Sequence, residues 1–411
     1  MLHYDLSLEY RVGPNRLTGV ALLNAVATAP LSRFELDLGA LRVDRVQVNG
    51  VKARYAHRTE KLRVQPVAWL PEGRAFTVEV RYGGNPQPVS SPWGGLGWDQ
   101  LADGAIVASQ PTGAPSWFPC NDLPGQKATF RIAVTAASPY RVVANGKKVS
   151  VSQGPSSTTW VYEAPEQMAT YLAGVQIGRY VATDLPGELP QRVYHPARLA
   201  DRVRHDFGRQ DRMMTVFGDL FGPYPFESYT VVVTSDELEI PVEAQGMSVF
   251  GANHVDGGRG SERLVAHELA HQWFGNSLTL GHWRDIWLHE GFACYAEWLW
   301  SEASGGEPAA GHARRWRRRL AGQPQDFVLA DPGARRIFDD RVYKRGALTL
   351  HALRGALGDG PFFSLLREWT SAYRHGTVST GLFTDLAARY TPDSLDPLFA
   401  GWLYSPKLPA D

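Results

Sequence analysis

Two histidines four residues apart with a glutamate directly after the first, His267, Glu268 and His271, constrain this chain more than any other feature. They lie in SERLVAHELAHQWFG, Ser261 to Gly275, which reads as a helix with a Ser cap at its start and a Gly at its end. Four residues advance a helix by about 400°, so the two imidazoles point within about 40° of one direction and can reach one ion. Neutral imidazole suits zinc, and a hydrolytic zinc site takes a third protein ligand and leaves a fourth position for water. Glu290 fills that third place. The 18 residues from 272 to 289 fit the end of one helix, a loop and the start of a second helix packed alongside. Glu268 points off the ligand axis, where a base for the attacking water is needed. Two neutral imidazoles and one carboxylate leave the ion a net positive charge, which lowers the water's pKa toward roughly 7 and polarises a scissile carbonyl. The pattern therefore predicts one zinc per chain on His267, His271 and Glu290, with hydrolysis as the chemistry. Glu297, seven residues after Glu290 and on the same helical face, is expected to orient a ligand histidine or to be an ordinary exposed or paired carboxylate.

At 411 residues the chain exceeds one ordinary core and fits two domains. Its formal net charge is zero, so no global field favours nucleic acid, an anionic membrane or an acidic substrate. The run Arg314, Arg315, Trp316, Arg317, Arg318, Arg319 is accordingly expected to be a solvated helix face. The N-terminal MLHYDLSLEYRV lacks a secretion signal and no window matches a membrane span, which predicts a cytoplasmic protein or a mature form already trimmed. Cys120 and Cys294 are too few for a disulfide framework and are expected to be reduced and buried.

The first part of the chain reads as β-structure. From Leu2 to Val12 apolar residues hold the even positions and polar ones the odd, the pattern of a strand with one buried face. Similar runs follow at Leu41 to Val48, Phe76 to Tyr82, Phe130 to Val134, Tyr140 to Val143 and Thr158 to Tyr162. Asn49-Gly50 and Asn145-Gly146 are expected to supply the positive φ angles of tight hairpins. A connector with Asp184, Pro186, Gly187 and Pro190 marks the expected domain boundary. Beyond it come helical spacings from Leu199 to Phe221, a strand at Tyr229 to Thr234, and nearly continuous helix from Ser261. The expected fold class is α+β in two domains, β-rich over 1–184 and mainly helical over 185–411.

HELAHQWFGN followed by WLHEGFACYAE resembles the zinc signature of the aminopeptidase N family of gluzincin metallopeptidases. FPCNDLPGQKATF at Phe118 to Phe130 is similar to that family's N-terminal motif, and YKRGALTLHAL from Tyr343 to its catalytic tyrosine segment. The resemblance implies a β-rich domain followed by a thermolysin-like catalytic domain, in a short form without the long helical domain of larger members. It implies that Tyr343 donates a hydrogen bond to the tetrahedral oxyanion. It also implies that the strand motif of the family corresponds to Val242-Glu243-Ala244, with Glu243 binding the substrate's α-amine and the backbone pairing with the peptide. Gln110 is the matching glutamine of the amine pocket.

Here the pattern departs from the family. The Gly and Asn around Glu243 are replaced, Thr112 stands where a second acidic or amide partner is usual, and His289 replaces an Asn before the third ligand. Glu237 or Glu239 could compensate for Thr112, or be plain loop charges. The resemblance implies an aminopeptidase acting on peptides. The alternatives are an endo- or oligopeptidase with a relaxed amine requirement and a non-catalytic peptide-binding scaffold, with an epoxide hydrolase side activity implied by the leukotriene branch.

Overall fold

The computed structural model describes residues 1–409. Two compact units divide the chain. One holds Met1–Asp184, Glu188–Ala200 and Glu227–His254; the other holds Leu185–Gly187, Asp201–Phe226 and the chain from Val255 onward.

The first unit is built from strands. His3–Arg11 alternates buried and open side chains as its sequence requires. It pairs antiparallel with Arg16–Val26 and parallel with Ala128–Ala137, in the middle of an eight-stranded sheet. Tyr10 on this strand meets Trp98 of the five-stranded sheet, ring centroids 4.8 Å apart, and Tyr4 packs on Phe118 and Phe130. This aromatic core buries large rings at a low entropic cost. Asn49 and Gly50 adopt φ of 50° and 77°, as a tight hairpin requires. The second expected hairpin does not form: Arg141–Ala144 and Lys147–Gln153 enter different sheets, and at the bend between them only Gly146 is left-handed, with φ 82°. Asn145 serves a different purpose: buried, its amide donates to Leu172 O and Gln245 O and accepts from Gly174 N. Those three bonds satisfy the side chain without a left-handed backbone.

A further sheet of this unit carries strands Tyr180–Leu185, Gln191–Pro196, Tyr229–Val233, Met247–Phe250 and Val242–Ala244, in that order. The pairings of Tyr229–Val233 with both neighbours are parallel. Val242–Ala244 is the edge strand, paired on one side with Met247–Phe250. Its turn, Gln245-Gly246, is anchored by the Asn145 bond just described.

The second unit is helical: α1 (Ala200–Asp206), α2 (Gln210–Phe221), α3 (Glu262–Ala270), α4 (Trp287–Ala303), α5 (Ala309–Ala321), α6 (Asp340–Leu357), α7 (Asp359–Ala372), α8 (Thr380–Ala387) and α9 (Asp396–Phe399). α4 is buried over most of its length and packs against both α3 and α6. The α4–α6 contact is unusually close because two glycines meet there. A Cβ on Gly291 would lie 2.8 Å from Gly346 Cα, and one on Gly346 would lie 2.7 Å from Gly291 Cα. The backbones touch one residue from Glu290 and three from Tyr343.

The arginine run lies on α5, with Arg314, Arg318 and Arg319 in solvent, Arg315 paired with Glu307, and Arg317 over the Trp402 ring. Cys120 and Cys294 are free and buried. Among the described residues no helix is long and apolar enough to cross a membrane.

Candidate active site

α3 presents His267 and Glu268, and His271 follows at its C-terminal cap. The helix stops at Ala270, short of the expected Gly275. From His271 the backbone opens into wider turns, with Asn276 N donating to His271 O at 3.0 Å and Ser277 N to Gln272 O at 3.1 Å. His271 N still donates to His267 O at 3.2 Å, so the four-residue register holds through the second imidazole. Ser261 occupies the cap position without a capping bond: its φ of −101° and ψ of 14° are not the extended conformation a capping serine uses. Gly275 has φ 128°, and a Cβ there would sit 3.2 Å from His271 Nδ1. That position needs glycine for both conformation and space.

The first turn of α4 brings Glu290 to the two imidazoles. Its Oε2 lies 3.5 Å from His267 Nε2 and 3.5 Å from His271 Nε2. These donor atoms form a buried group within 4.8 Å of one another that could hold a metal ion. Ligands at roughly 2.0–2.1 Å from zinc in a tetrahedral arrangement stand about 3.4 Å apart, so this separation fits zinc better than a direct hydrogen bond. The outer nitrogens are already committed. His267 Nδ1 is 2.8 Å from Glu297 Oε1, and His271 Nδ1 is 3.0 Å from the Phe274 carbonyl. Donation from each Nδ1–H leaves both Nε2 lone pairs facing Glu290.

Electrostatics favours a cation at this point. Burial alone would raise Glu290, but the two imidazoles beside its carboxylate, His271 foremost, hold it far below the carboxylate range. Burial opposes charge on His267, and Glu290 with Glu297 outweighs it to raise that imidazole's pKa. Glu297 is lowered to about 2 against its burial by His267, Lys344 and Arg263, the last donating to it at 2.8 Å. The alternatives for Glu297 divide: an exposed carboxylate is excluded by its 5% exposure, while the pairing is present, with Arg263, alongside the contact with His267.

Glu268 is 4% exposed and its Oε2 has no hydrogen-bond partner in the protein. Burial pushes its carboxyl up, partly offset by the two imidazoles. Such an orphaned oxygen is costly unless something outside the chain uses it. Tyr343, in the first turn of α6, lies nearly parallel to the His267 ring, centroids 6.1 Å apart. His289 is fully buried and its Nε2 accepts from Leu280 N at 2.9 Å, so it supports the loop between α3 and α4 rather than facing solvent.

The remaining expected residues belong to the first unit. Glu243 is 8% exposed on the edge strand, opposite Ser248 and between Val242 and Ala244. Gln110 is half-buried, with its Nε2 lacking a protein partner, and Thr112 is exposed. Glu237 and Glu239 are exposed loop charges.

A β-rich unit, and a helical one with a glutamate-completed HExxH site, define a two-part metallopeptidase architecture. The chain belongs to the M1 family of peptidases. Residues 1–172 match the Peptidase M1 N-terminal domain and residues 206–402 the Peptidase family M1 domain. The M1 zinc metallopeptidase of Deinococcus radiodurans is 31% identical, with all of this chain and 95% of that one covered and a TM-score of 0.90. A mutant of that protein has also been solved with a Tyr-Ser-Ala substrate bound. Human endoplasmic reticulum aminopeptidase 1 is 25% identical over 94% of this chain, which spans 45% of the human protein. Leucine aminopeptidase 2 of Eremothecium gossypii is 25% identical over 99% of this chain, which spans 68% of its length.

Proposed function

We propose that this chain is a zinc-dependent aminopeptidase that releases N-terminal residues from peptides, with 1–184 as its β-rich domain and 185–411 as its catalytic domain. The convergence of His267 Nε2, His271 Nε2 and Glu290 Oε2 carries the reading. These three would hold one zinc, which when bound polarises the scissile carbonyl and lowers the pKa of the attacking water. Glu268 takes a proton from that water as its oxygen bonds to the carbonyl carbon, then passes it to the departing amine nitrogen as the C–N bond breaks. The Tyr343 hydroxyl donates to the oxyanion that develops. Glu297 and the Phe274 carbonyl hold the two imidazoles in one tautomer and orientation. Replacing Glu297 by Gln is therefore expected to weaken zinc binding roughly tenfold to a hundredfold, measured by competition with a chromogenic chelator.

Peptide recognition falls to the edge strand. Val242 and Ala244 belong to the last strand of their sheet, an edge to which an extended peptide can add as a further strand. Glu243 receives the α-ammonium, aided by the Gln110 amide, whose oxygen and nitrogen are interchangeable by rotation. The reaction is placed in the cytoplasm, a compartment that suits two free, buried cysteines.

A second reading, an endo- or oligopeptidase, draws on Thr112, which brings no charge to the amine pocket, and on Glu237 and Glu239, which lie exposed. One ratio separates the two: kcat/KM for a short peptide with a free N-terminus over that for its acetylated form. The aminopeptidase reading predicts a preference for the free amine, weakened by Thr112, that shrinks further in Glu243→Ala, since a buried ammonium is costly without its carboxylate. A wild-type ratio near one, unmoved by Glu243→Ala, rejects the aminopeptidase reading and supports the endopeptidase.

A further inference from the structure

Arg345 is a buried cation outside the set described so far, 3% exposed on α6 two residues after Tyr343. Two residues turn a helix by about 200°, so Tyr343 and Arg345 leave α6 on nearly opposite sides. The guanidinium is surrounded by backbone carbonyls. Its Nε donates to Trp402 O at 2.9 Å and Nη1 to Pro406 O at 2.8 Å. Nη2 reaches Gly401 O at 3.1 Å, Ser405 O at 2.5 Å and Lys407 O at 3.3 Å.

These five acceptors share an origin. α9 runs into a π-helical turn, Ala400–Tyr404, and the carbonyls at and beyond its end have no helical partner. They also carry the negative end of the local dipole, which a cation stabilises. The planar fork of Arg345 gathers them, as the ammonium of a lysine could not, because lysine has three donors on one atom. Burial lowers the pKa of Arg345 to about 10, so the charge persists at neutral pH. The acceptor segment is itself tied down: Leu403 O accepts from Ala330 N at 3.0 Å, Leu408 N donates to Gln325 Oε1 at 3.0 Å, and Arg317 donates to Pro409 O.

α6 is therefore gripped on two sides close to Tyr343. On one side Gly346 lies against Gly291 of α4, next to Glu290; on the other Arg345 holds the C-terminal turn. A hydroxyl that must meet a developing oxyanion tolerates little displacement, since misplacement by 1 Å can cost on the order of a hundredfold in rate. We propose that Arg345, through the carbonyls of Gly401–Lys407, is a positioning residue that sets the rotation and depth of Tyr343. The inference rests on the role given to Tyr343 above.

A double-mutant cycle on the zinc-loaded, full-length enzyme tests it, with Arg345→Lys, Tyr343→Phe and the pair. Arg345→Lys is expected to lower kcat about tenfold or more with KM nearly unchanged, full zinc content and a cooperative thermal transition. Added to Tyr343→Phe, it should lower kcat no further, because the hydroxyl it positions is gone. Pro406→Gly, which keeps Arg345 and loosens its acceptors, should show the same pattern more weakly, and it stands in if the arginine variant does not fold. An equal loss of kcat in the Tyr343 and Phe backgrounds overturns the positioning role and leaves Tyr343 catalytic. Normal kcat in both Arg345→Lys and Pro406→Gly overturns it as well. Normal kcat in Tyr343→Phe alone overturns the role of Tyr343 itself, and the positioning role with it.

Discussion

Glu268→Gln is expected to leave one zinc per chain and lower turnover at least about a hundredfold, the scale on which a positioned base contributes to proton transfer. The substitution keeps the volume and most of the polarity of the side chain and removes only its ability to accept and return a proton. Glu268 makes no bond that the site's geometry depends on, since its Oε2 has no partner in the protein. The two histidines proposed as ligands are held instead by Glu297 and the Phe274 carbonyl. Metal content should therefore be indifferent to the change, and KM should move little, because the proton is transferred during the reaction and not on binding. Steady-state kinetics with elemental analysis of the same preparation checks both halves. Unchanged turnover would mean that another group activates the water.

The core of the site was legible because helix geometry writes it into the chain. His267 and His271 share a face by their spacing alone, and Glu290 and Glu297 share another by a seven-residue step. What local spacing does not encode was not legible. The Phe274 carbonyl that ties His271 depends on the wide turns after Ala270, and those follow from Gly275 and from long-range packing. Gly291 and Gly346 stand in motifs 55 residues apart, and only the fold shows them in contact. The acceptors of Arg345 are backbone carbonyls, which have no signature in a sequence at all.

In the fold, strands with one buried face, such as His3–Arg11, showed their alternation plainly. The sheet from Tyr180 to Phe250 did not announce itself as a whole. Its parallel neighbours, Gln191–Pro196, Tyr229–Val233 and Met247–Phe250, pair across helices and loops, and nothing in a short window specifies such pairing. The hairpin expected at Asn145-Gly146 does not form, because the strands on either side, Arg141–Ala144 and Lys147–Gln153, belong to different sheets and the Asn145 amide is used across the fold.

His271→Ala has the other large expected effect: loss of the metal and, with it, of essentially all activity. His271 is 2% exposed and supplies one of three donor atoms, and two remaining ligands do not make a closed zinc site. The fold should largely survive, because α3 is held by α2 and α4 as well as by the site. Folding is read from far-UV circular dichroism and zinc from elemental analysis, and tight stoichiometric zinc in this variant would remove His271 from the ligand set. The central claim, that one zinc sits on His267, His271 and Glu290, is met most directly by anomalous diffraction from crystals of the wild-type protein across the zinc absorption edge. One peak is predicted, roughly 2.0–2.2 Å from His267 Nε2, His271 Nε2 and a Glu290 carboxylate oxygen. A zinc-saturated crystal with no peak there, or with its peak on other residues, would contradict the account.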